Sequence, residues 1–100
     1  MSPAGKREDS IRIKPSRRFL RQLKSDAPQR AKRAREALRR LVEHAHRKGG
    51  HLEVFRGRPG YFTARMTQGW RFLLRKEQDE LGTYYLVVEY GSHEDIYGKK

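Results

Sequence analysis

The 100-residue sequence predicts a single α+β domain in which two N-terminal helices cover one face of a small antiparallel sheet. Three observations predict this fold: helical spacing of apolar residues in the first half, strand-like alternation in the second half, and glycine-centred turns. With 35% hydrophobic residues, the chain can bury one modest core. The expected order is strand, helix, helix and three strands over residues 11–100, preceded by a disordered tail at 1–10.

The first half of the domain is expected to contain a short strand and two helices. Ile11 to Lys14 alternates apolar and basic residues and predicts a strand that Pro15 ends. Ser16 is placed to cap a first helix, whose apolar face comprises Phe19, Leu20 and Leu23. A longer second helix follows, with Asp26 as a candidate cap and Gly49-Gly50 as its end. Its apolar residues recur at intervals of three and four: Ala31, Ala34, Leu38, Leu41 and Ala45, with Val42 beside them.

The central feature of the second half is a predicted β-hairpin over Gly60 to Leu74. A three-residue loop at 67–69, with Gly69 in the left-handed conformation, places Arg65 opposite Arg71. The same register pairs Ala64 with Phe72 and Met66 with Trp70. It collects one set of side chains on an apolar face: Phe62, Ala64, Met66, Trp70, Phe72 and Leu74. Because facing like charges destabilise a strand pair, the two arginines predict an anionic ligand; a solvated pair is the alternative.

Two further segments complete the predicted sheet. His51 to Pro59 is expected to be a connection that the core holds through Leu52, Val54 and Phe55. A turn at 79–82 leads into Tyr84 to Tyr90, where β-branched and aromatic residues predict a buried strand. The helices are then expected to cover the apolar face of the hairpin, which leaves the arginine face free to bind a ligand.

The charge distribution predicts a polyanionic partner. The chain carries 24 Lys and Arg against 12 Asp and Glu, and residues 1–50 hold 16 of the basic residues and 5 of the acidic ones. Nucleic acid is the most common partner of a protein with such an excess of positive charge. The basic side of the second helix is expected to face it, with Arg39 and Arg40 as RNA-binding candidates. A solvated amphipathic helix is the alternative.

Several classes of function are disfavoured by what the sequence lacks. Zero cysteines exclude disulfides and thiol catalysis. With no signal-peptide core and no apolar run near the roughly 18 residues of a membrane span, a cytoplasmic protein without membrane contact is expected. The four histidines have no metal-ligand spacing, so no metal or other cofactor is expected. Phosphate-binding glycine loops and a nucleophile elbow are also absent.

The remaining polar and aromatic residues suit cleavage of an RNA phosphodiester. This chemistry needs a base for the 2′-hydroxyl, arginines for the phosphorane, an acid for the leaving oxygen, and aromatic rings for the bases. Residues of these types are Glu53, His51, His93, Arg65, Arg71, Arg75, Trp70, Tyr61, Tyr90 and Tyr97. Among them, Arg75 and Trp70 are further RNA-binding candidates. For four of these residues an ordinary structural role is the alternative: a solvated Glu53, a turn histidine at His93, and a core Trp70 and Tyr97.

Taken in order, these motifs resemble the RelE/ParE toxin superfamily of bacterial toxin-antitoxin systems over Ile11 to Tyr97. The matching features are the helical hairpin, LEVFRG, the R-x5-R pair, GYFTARMTQGW, and GSHEDIYG, which is similar to the GTH-x3-FG ending of the YafQ branch. The resemblance implies a RelE-like fold and a ribosome-dependent mRNA endoribonuclease that inhibits translation. It also implies the ribosome, mRNA and a cognate antitoxin as partners, the last in a toxin-antitoxin hetero-oligomer.

The resemblance further implies roles for individual residues. Glu53 falls at the position of the general-base glutamate of the YoeB branch. Arg65 and Arg71 fall where the family contacts the scissile phosphate or its neighbours. His93 matches the C-terminal histidine proposed as general acid, and Tyr97 matches the terminal aromatic residue.

The sequence departs from the family at some positions, so two other functions stay open. The lysine-rich site of RelE is absent, and Gly69 stands where YafQ has an aspartate, although Trp70 matches a YafQ tryptophan. One alternative is a ParE-like inhibitor of DNA gyrase. That branch generally lacks an acid-base set, so Glu53 and His93 argue against it. The other alternative is a non-catalytic nucleic-acid-binding module, which needs neither residue.

Overall fold

The computed structural model describes residues 12–45 and 52–98, and within them five strands form one mixed sheet with three helices. In chain order the elements are β1 (Arg12–Pro15), α1 (Arg17–Ser25), α2 (Pro28–Ala45), β2 (Glu53–Val54), β3 (Tyr61–Thr67), β4 (Trp70–Asp79), β5 (Gly82–Ser92) and α3 (His93–Tyr97). The α+β class is confirmed. The predicted tail at 1–10 and the helix end at Gly49-Gly50 lie outside the described residues.

The sheet is mixed, which corrects the predicted antiparallel arrangement. Its strand order is β1-β5-β4-β3-β2. The edge strand β1 runs parallel to β5, with Arg12 aligned to Tyr84 and Pro15 to Val87, whereas the other neighbours are antiparallel. A parallel pair needs a long crossover instead of a hairpin. Here α1, α2 and the β2–β4 strands together form that connection, so β1 and β5 meet although they lie far apart in sequence.

The β3–β4 hairpin has the predicted register except at its tip. Two of the three predicted pairs are present: Arg65 with Arg71 and Ala64 with Phe72. The third is wrong, because the register shifts between Arg65 and Thr67, and Trp70 lies opposite Thr67 instead of Met66. Gly69 has a φ of +88°, a left-handed conformation that residues with a Cβ rarely adopt. The turn therefore depends on this glycine, as predicted, but its loop has two residues, Gln68 and Gly69, instead of the predicted three, because Thr67 pairs with Trp70 as part of β3.

The helices pack on the apolar face of the hairpin, as expected. Phe19 of α1 makes edge-to-face contacts with Tyr90 and Phe72, at ring-centre distances of 5.7 and 6.2 Å. Helix α2 packs on the sheet through a buried face that is rich in alanine. The buried residues of α2 and of the hairpin's apolar face include Ala31, Ala34, Ala37, Leu41, Ala64, Met66, Phe72 and Leu74.

Local signals place the start of α1 correctly, but the predicted cap of α2 and two predicted core residues are wrong. Ser16 caps α1 by accepting a hydrogen bond from the backbone N–H of Phe19 at 3.0 Å. Asp26 does not cap α2, because the helix begins at Pro28 and Asp26 accepts its backbone hydrogen bond at 2.7 Å from Ala27, which precedes the helix. Leu20 is 45% exposed and Val54 70% exposed, so neither anchors its segment in the core.

Helix α3 covers part of the second sheet face, which corrects the expectation that this face is free. Ser92 accepts a hydrogen bond from the backbone N–H of Asp95 at 3.0 Å and so starts the helix. Ile96 is buried beside Gly91, where an added Cβ would lie 3.1 Å from the Asp95 Cβ. The Tyr97 hydroxyl lies 2.5 Å from the hydroxyl of buried Thr63. Helix α3 therefore covers the part of this face around Thr63.

Candidate active site

An open cleft of about 500 Å³ lies beside α2 and the hairpin. We call it the first cleft. Helix α2 contributes Ala37, Arg40 and Leu41, and the sheet contributes Glu53, Arg65, Met66 and Arg71. Three of the predicted catalytic residues and one predicted RNA-binding residue therefore line the same concave surface.

The short strand β2 brings Glu53 to the arginine face. Glu53 lies directly opposite Thr63 of β3, and opposed residues in an antiparallel pair project to the same side of the sheet. Thr63 and Arg65 are two positions apart on β3 and also share that side. Glu53 is exposed, and no described basic side chain forms an ion pair with it. Its carboxylate is thus accessible to a ligand in the first cleft.

Arg65 and Arg71 form a like-charged pair across the hairpin. They lie directly opposite each other, and within residues 12–45 and 52–98 neither forms an ion pair with a carboxylate. Arg65 is exposed, whereas Arg71 is half-buried and its Nε is buried with no hydrogen-bond partner. A buried donor without a partner costs about 1–3 kcal/mol, and facing like charges add to the cost. A bound anion would relieve both costs, so the pair is a candidate phosphate site.

The predicted acid and terminal aromatic residue lie on α3, near the first cleft but outside its lining. The start of α3 is fixed to the hairpin tip, because the backbone N–H of His93 donates to the Gly69 carbonyl at 2.7 Å. The His93 and Tyr97 rings are in contact, with centres 4.4 Å apart. Tyr97 also contacts Thr63, the cross-strand partner of Glu53. The aromatic residue is therefore on the Glu53 side of the sheet, and His93 begins the helix that carries it.

The predicted RNA-binding residues lie at different places. Arg39 is exposed on α2, and Arg40 lines the first cleft. Arg75 donates to the Glu77 carboxylate, and its hydrogen bond with Tyr61 lowers the pKa of that phenol. Trp70 is half-buried and packs against the core, where its ring also contacts Tyr90 at 6.2 Å. Of these four residues, only Arg40 lines the first cleft.

Sequence reasoning missed Thr63, Ala37 and Met66 as parts of the site region. Thr63 is 1% exposed. It lies two positions before Arg65 on β3, and this spacing was the signal that could have placed it on the arginine face. Ala37 follows Ala34 at helical spacing on the buried side of α2. Met66 becomes a cleft residue at the point where the hairpin register shifts, which the alternation alone does not reveal.

Two general properties of the described chain bear on its chemistry. No group of three His, Asp or Glu side chains in residues 12–45 and 52–98 is arranged to hold a metal ion. Over the same residues, no helix is long and apolar enough to cross a membrane.

Comparison with known proteins gives no family assignment. No family model matches the sequence, and no curated protein matches it. The resemblance to the RelE/ParE superfamily rests on the sequence motifs and stays a prediction.

Proposed function

We propose that this protein is the toxin of a toxin-antitoxin pair, a cytoplasmic endoribonuclease that cuts mRNA on the ribosome without a metal ion. The observation that carries the proposal is the convergence of Glu53, Arg65 and Arg71 on the first cleft. A carboxylate and two arginines that pair with no carboxylate of the described residues supply a proton acceptor and a phosphate-binding pair. The RelE/ParE-like motifs support mRNA on the ribosome as the substrate.

The proposed reaction uses the 2′-hydroxyl of the RNA as the nucleophile. Glu53 accepts the proton of this hydroxyl, and the oxygen attacks the adjacent phosphorus. Arg65 and Arg71 stabilise the negative charge that accumulates on the phosphorane oxygens. His93 donates a proton to the departing 5′-oxygen as the P–O bond breaks. The products are a 2′,3′-cyclic phosphate on the upstream fragment and a 5′-hydroxyl on the downstream one.

Tyr97 supports this reaction through its position between His93 and the sheet. Its ring packs against the His93 ring, and its hydroxyl is hydrogen-bonded to Thr63. Phe55 contacts the Tyr97 ring at a centre distance of 5.4 Å. These contacts hold the aromatic ring in place against the imidazole.

Binding to the ribosome is assigned to the basic side of α2. Its exposed residues include Arg30, Lys32, Arg33, Arg35, Arg39 and Arg40. The whole chain carries a formal net charge of +12, which favours contact with ribosomal RNA phosphates. The same charge favours neutralisation by an antitoxin segment rich in carboxylates.

The second candidate function is a nucleic-acid-binding module without catalysis. The observation that favours it is that His93 does not line the first cleft together with Glu53 and the arginines. Such a module would bind RNA through the same arginines and leave the strand intact. A ParE-like gyrase inhibitor would likewise leave mRNA intact, but it would block DNA supercoiling by gyrase.

Single-turnover cleavage of ribosome-bound mRNA separates these functions. At saturating protein, Glu53→Gln should slow cleavage by roughly 10²-fold or more, since general-base catalysis contributes about that much. Glu80→Gln is the matched control, because Glu80 is exposed in the turn between β4 and β5. Arg39→Ala should weaken binding and leave the saturated rate unchanged. Equal rates for Glu53→Gln and wild type would refute the catalytic assignment.

A further inference from the structure

A second cleft of about 330 Å³ lies where α2 begins beside the hairpin tip. Its polar and aromatic lining comprises Gln29, Arg30, Arg33, Thr67, Gln68 and Trp70. The volume is near the lower end of the range for small-molecule sites, about 300–1,000 Å³, and suits a single nucleotide unit better than a larger ligand. The lining combines two cations, two amides, one hydroxyl and one indole ring.

Arg30 is held in a fixed orientation at this cleft. Its guanidinium carbon lies 4.8 Å from the centre of the Trp70 ring, and its Nη1 donates to the Asp26 carboxylate at 2.8 Å. The other Asp26 oxygen accepts a hydrogen bond from the Tyr90 hydroxyl at 2.6 Å. Burial alone would raise the pKa of Asp26, but its hydrogen bonds from Tyr90, Ala27 and Arg30 outweigh this effect and lower it. Asp26 is therefore ionised at neutral pH and restrains Arg30.

The restrained guanidinium remains open to a ligand. The Arg30 side chain is 46% exposed although it contacts both the indole ring and Asp26. A planar cation that is preset on an aromatic ring loses little conformational entropy when a second flat group stacks on it. Unpaired RNA bases stack on aromatic rings and on arginine planes in this manner.

We propose that the second cleft binds a nucleobase of single-stranded RNA, which stacks on the Arg30 guanidinium while Arg33 contacts an adjoining phosphate. Gln29 and Gln68 supply amide donors and acceptors for the base edge. This inference extends the proposed function, since it places a neighbouring part of the same substrate strand in the second cleft.

The position of the two clefts supports one continuous RNA path. Met66 lines both of them. Arg30 and Arg40 are ten residues apart on α2, which corresponds to about 15 Å along the helix axis. An extended single strand covers this distance with a few nucleotides. A strand cut in the first cleft would therefore place a base in the second.

The chain provides its own probe of this cleft, because Trp70 is the only tryptophan in the sequence. The test titrates full-length protein carrying Glu53→Gln, which slows cleavage, with the oligonucleotide rA5 and separately with tripolyphosphate. Trp70 fluorescence is followed at fixed ionic strength. We expect rA5 to change the fluorescence saturably and tripolyphosphate to leave it nearly unchanged, because only the oligonucleotide carries bases.

Substitution of Arg30 by lysine separates stacking from charge. Lysine keeps the positive charge and can still pair with Asp26, but it lacks the planar group. Arg30→Lys should weaken rA5 binding roughly tenfold, in line with the contribution of one stacked base. The matched control is Arg21→Lys, which changes an exposed residue of α1 outside both clefts. Gln68→Ala tests the same cleft from the exposed hairpin turn and should weaken rA5 binding severalfold, even if Arg30→Lys proves unstable.

The inference is overturned if Arg30→Lys and Gln68→Ala both bind rA5 as tightly as the parent, or if tripolyphosphate and rA5 change Trp70 fluorescence equally. Failure of the proposed function gives a different pattern. A protein that leaves mRNA uncut but shows the rA5 response and its loss in Arg30→Lys retains the nucleobase site. A protein that cuts mRNA but lacks this response is a nuclease whose second cleft binds no base.

Discussion

Replacement of Arg71 by methionine is expected to stabilise the fold and to remove the function. Arg71 faces Arg65 across the hairpin, and its Nε is buried with no hydrogen-bond partner. The unpaired donor costs about 1–3 kcal/mol and the facing like charges cost about 0.2–1 kcal/mol. Methionine removes both costs and keeps an unbranched side chain that fills much of the same space.

The expected gain in stability is at the lower end of the summed costs, because the Arg71→Met protein also loses some of the contacts of the longer arginine side chain. We expect the free energy of unfolding to rise by about 1 kcal/mol, which raises Tm by about 4–8 °C in a domain of this size. The saturated rate of RNA cleavage should fall by roughly 10²- to 10³-fold, since the phosphorane loses one cationic donor. A variant that is more stable but inactive would show that Arg71 lowers the stability of the fold and is retained because the function needs it.

Thermal unfolding followed by circular dichroism measures the stability change. Arg39→Met is the matched control, because Arg39 is exposed on α2 and its replacement should change stability by less than about 0.5 kcal/mol. Inorganic phosphate should raise the Tm of the wild-type protein more than that of Arg71→Met, as expected for a ligand that binds only the folded state. A lower Tm for Arg71→Met would show that the arginine is structural and would refute this reasoning.

Three further predictions concern the rest of the molecule. Tyr90→Phe removes the 2.6 Å hydrogen bond to Asp26 and should lower the free energy of unfolding by about 2 kcal/mol in urea titrations; an unchanged midpoint would contradict this. Hydrogen bonds from Arg12 and Lys14 hold the pKa of Asp79 well below its usual range, so its stabilisation is complete above about pH 4 and is lost as the pH falls. Asp79→Asn should therefore lower Tm at pH 7, and the difference in Tm from the wild type should become smaller below about pH 4. A difference that stays constant with pH would show that the ionised Asp79 carboxylate does not cause it. Affinity for ribosomal RNA should fall steeply between about 50 and 300 mM salt, and salt-independent binding would exclude the phosphate contacts assigned to α2.

The parts of the fold that depend on local pattern could be predicted from the sequence. Alternation along the hairpin gave the Arg65–Arg71 pairing, because only that register separates the apolar and charged faces. Ser16 marked the start of α1 through its side-chain oxygen. Helix α3 was not predicted because its five residues are too short for periodicity, although Ser92 and Asp95 have the spacing of a capping box.

The parts that depend on distant contacts could not be predicted in this way. The parallel pairing of β1 with β5 joins segments about 70 residues apart, and alternation carries no information on strand direction. Val54 is apolar but faces solvent, because β2 is a two-residue edge strand with a partner on one side only. Glu53 could be chosen by residue type, but its place beside Arg65 follows only from the pairing of β2 with β3. The second cleft is lined by residues from the start of α2 and from the hairpin tip, so no single sequence motif predicts it.

Mapping the cut ends of mRNA during translation by purified ribosomes tests the central claim most directly. The wild-type protein should produce cuts that require the ribosome and leave a 2′,3′-cyclic phosphate on the upstream fragment. Cleavage should be roughly 10²-fold slower or more in the Glu53→Gln protein, while binding of that protein to the ribosome is retained. Intact mRNA at saturating wild-type protein bound to translating ribosomes would contradict the assignment of catalysis to the first cleft.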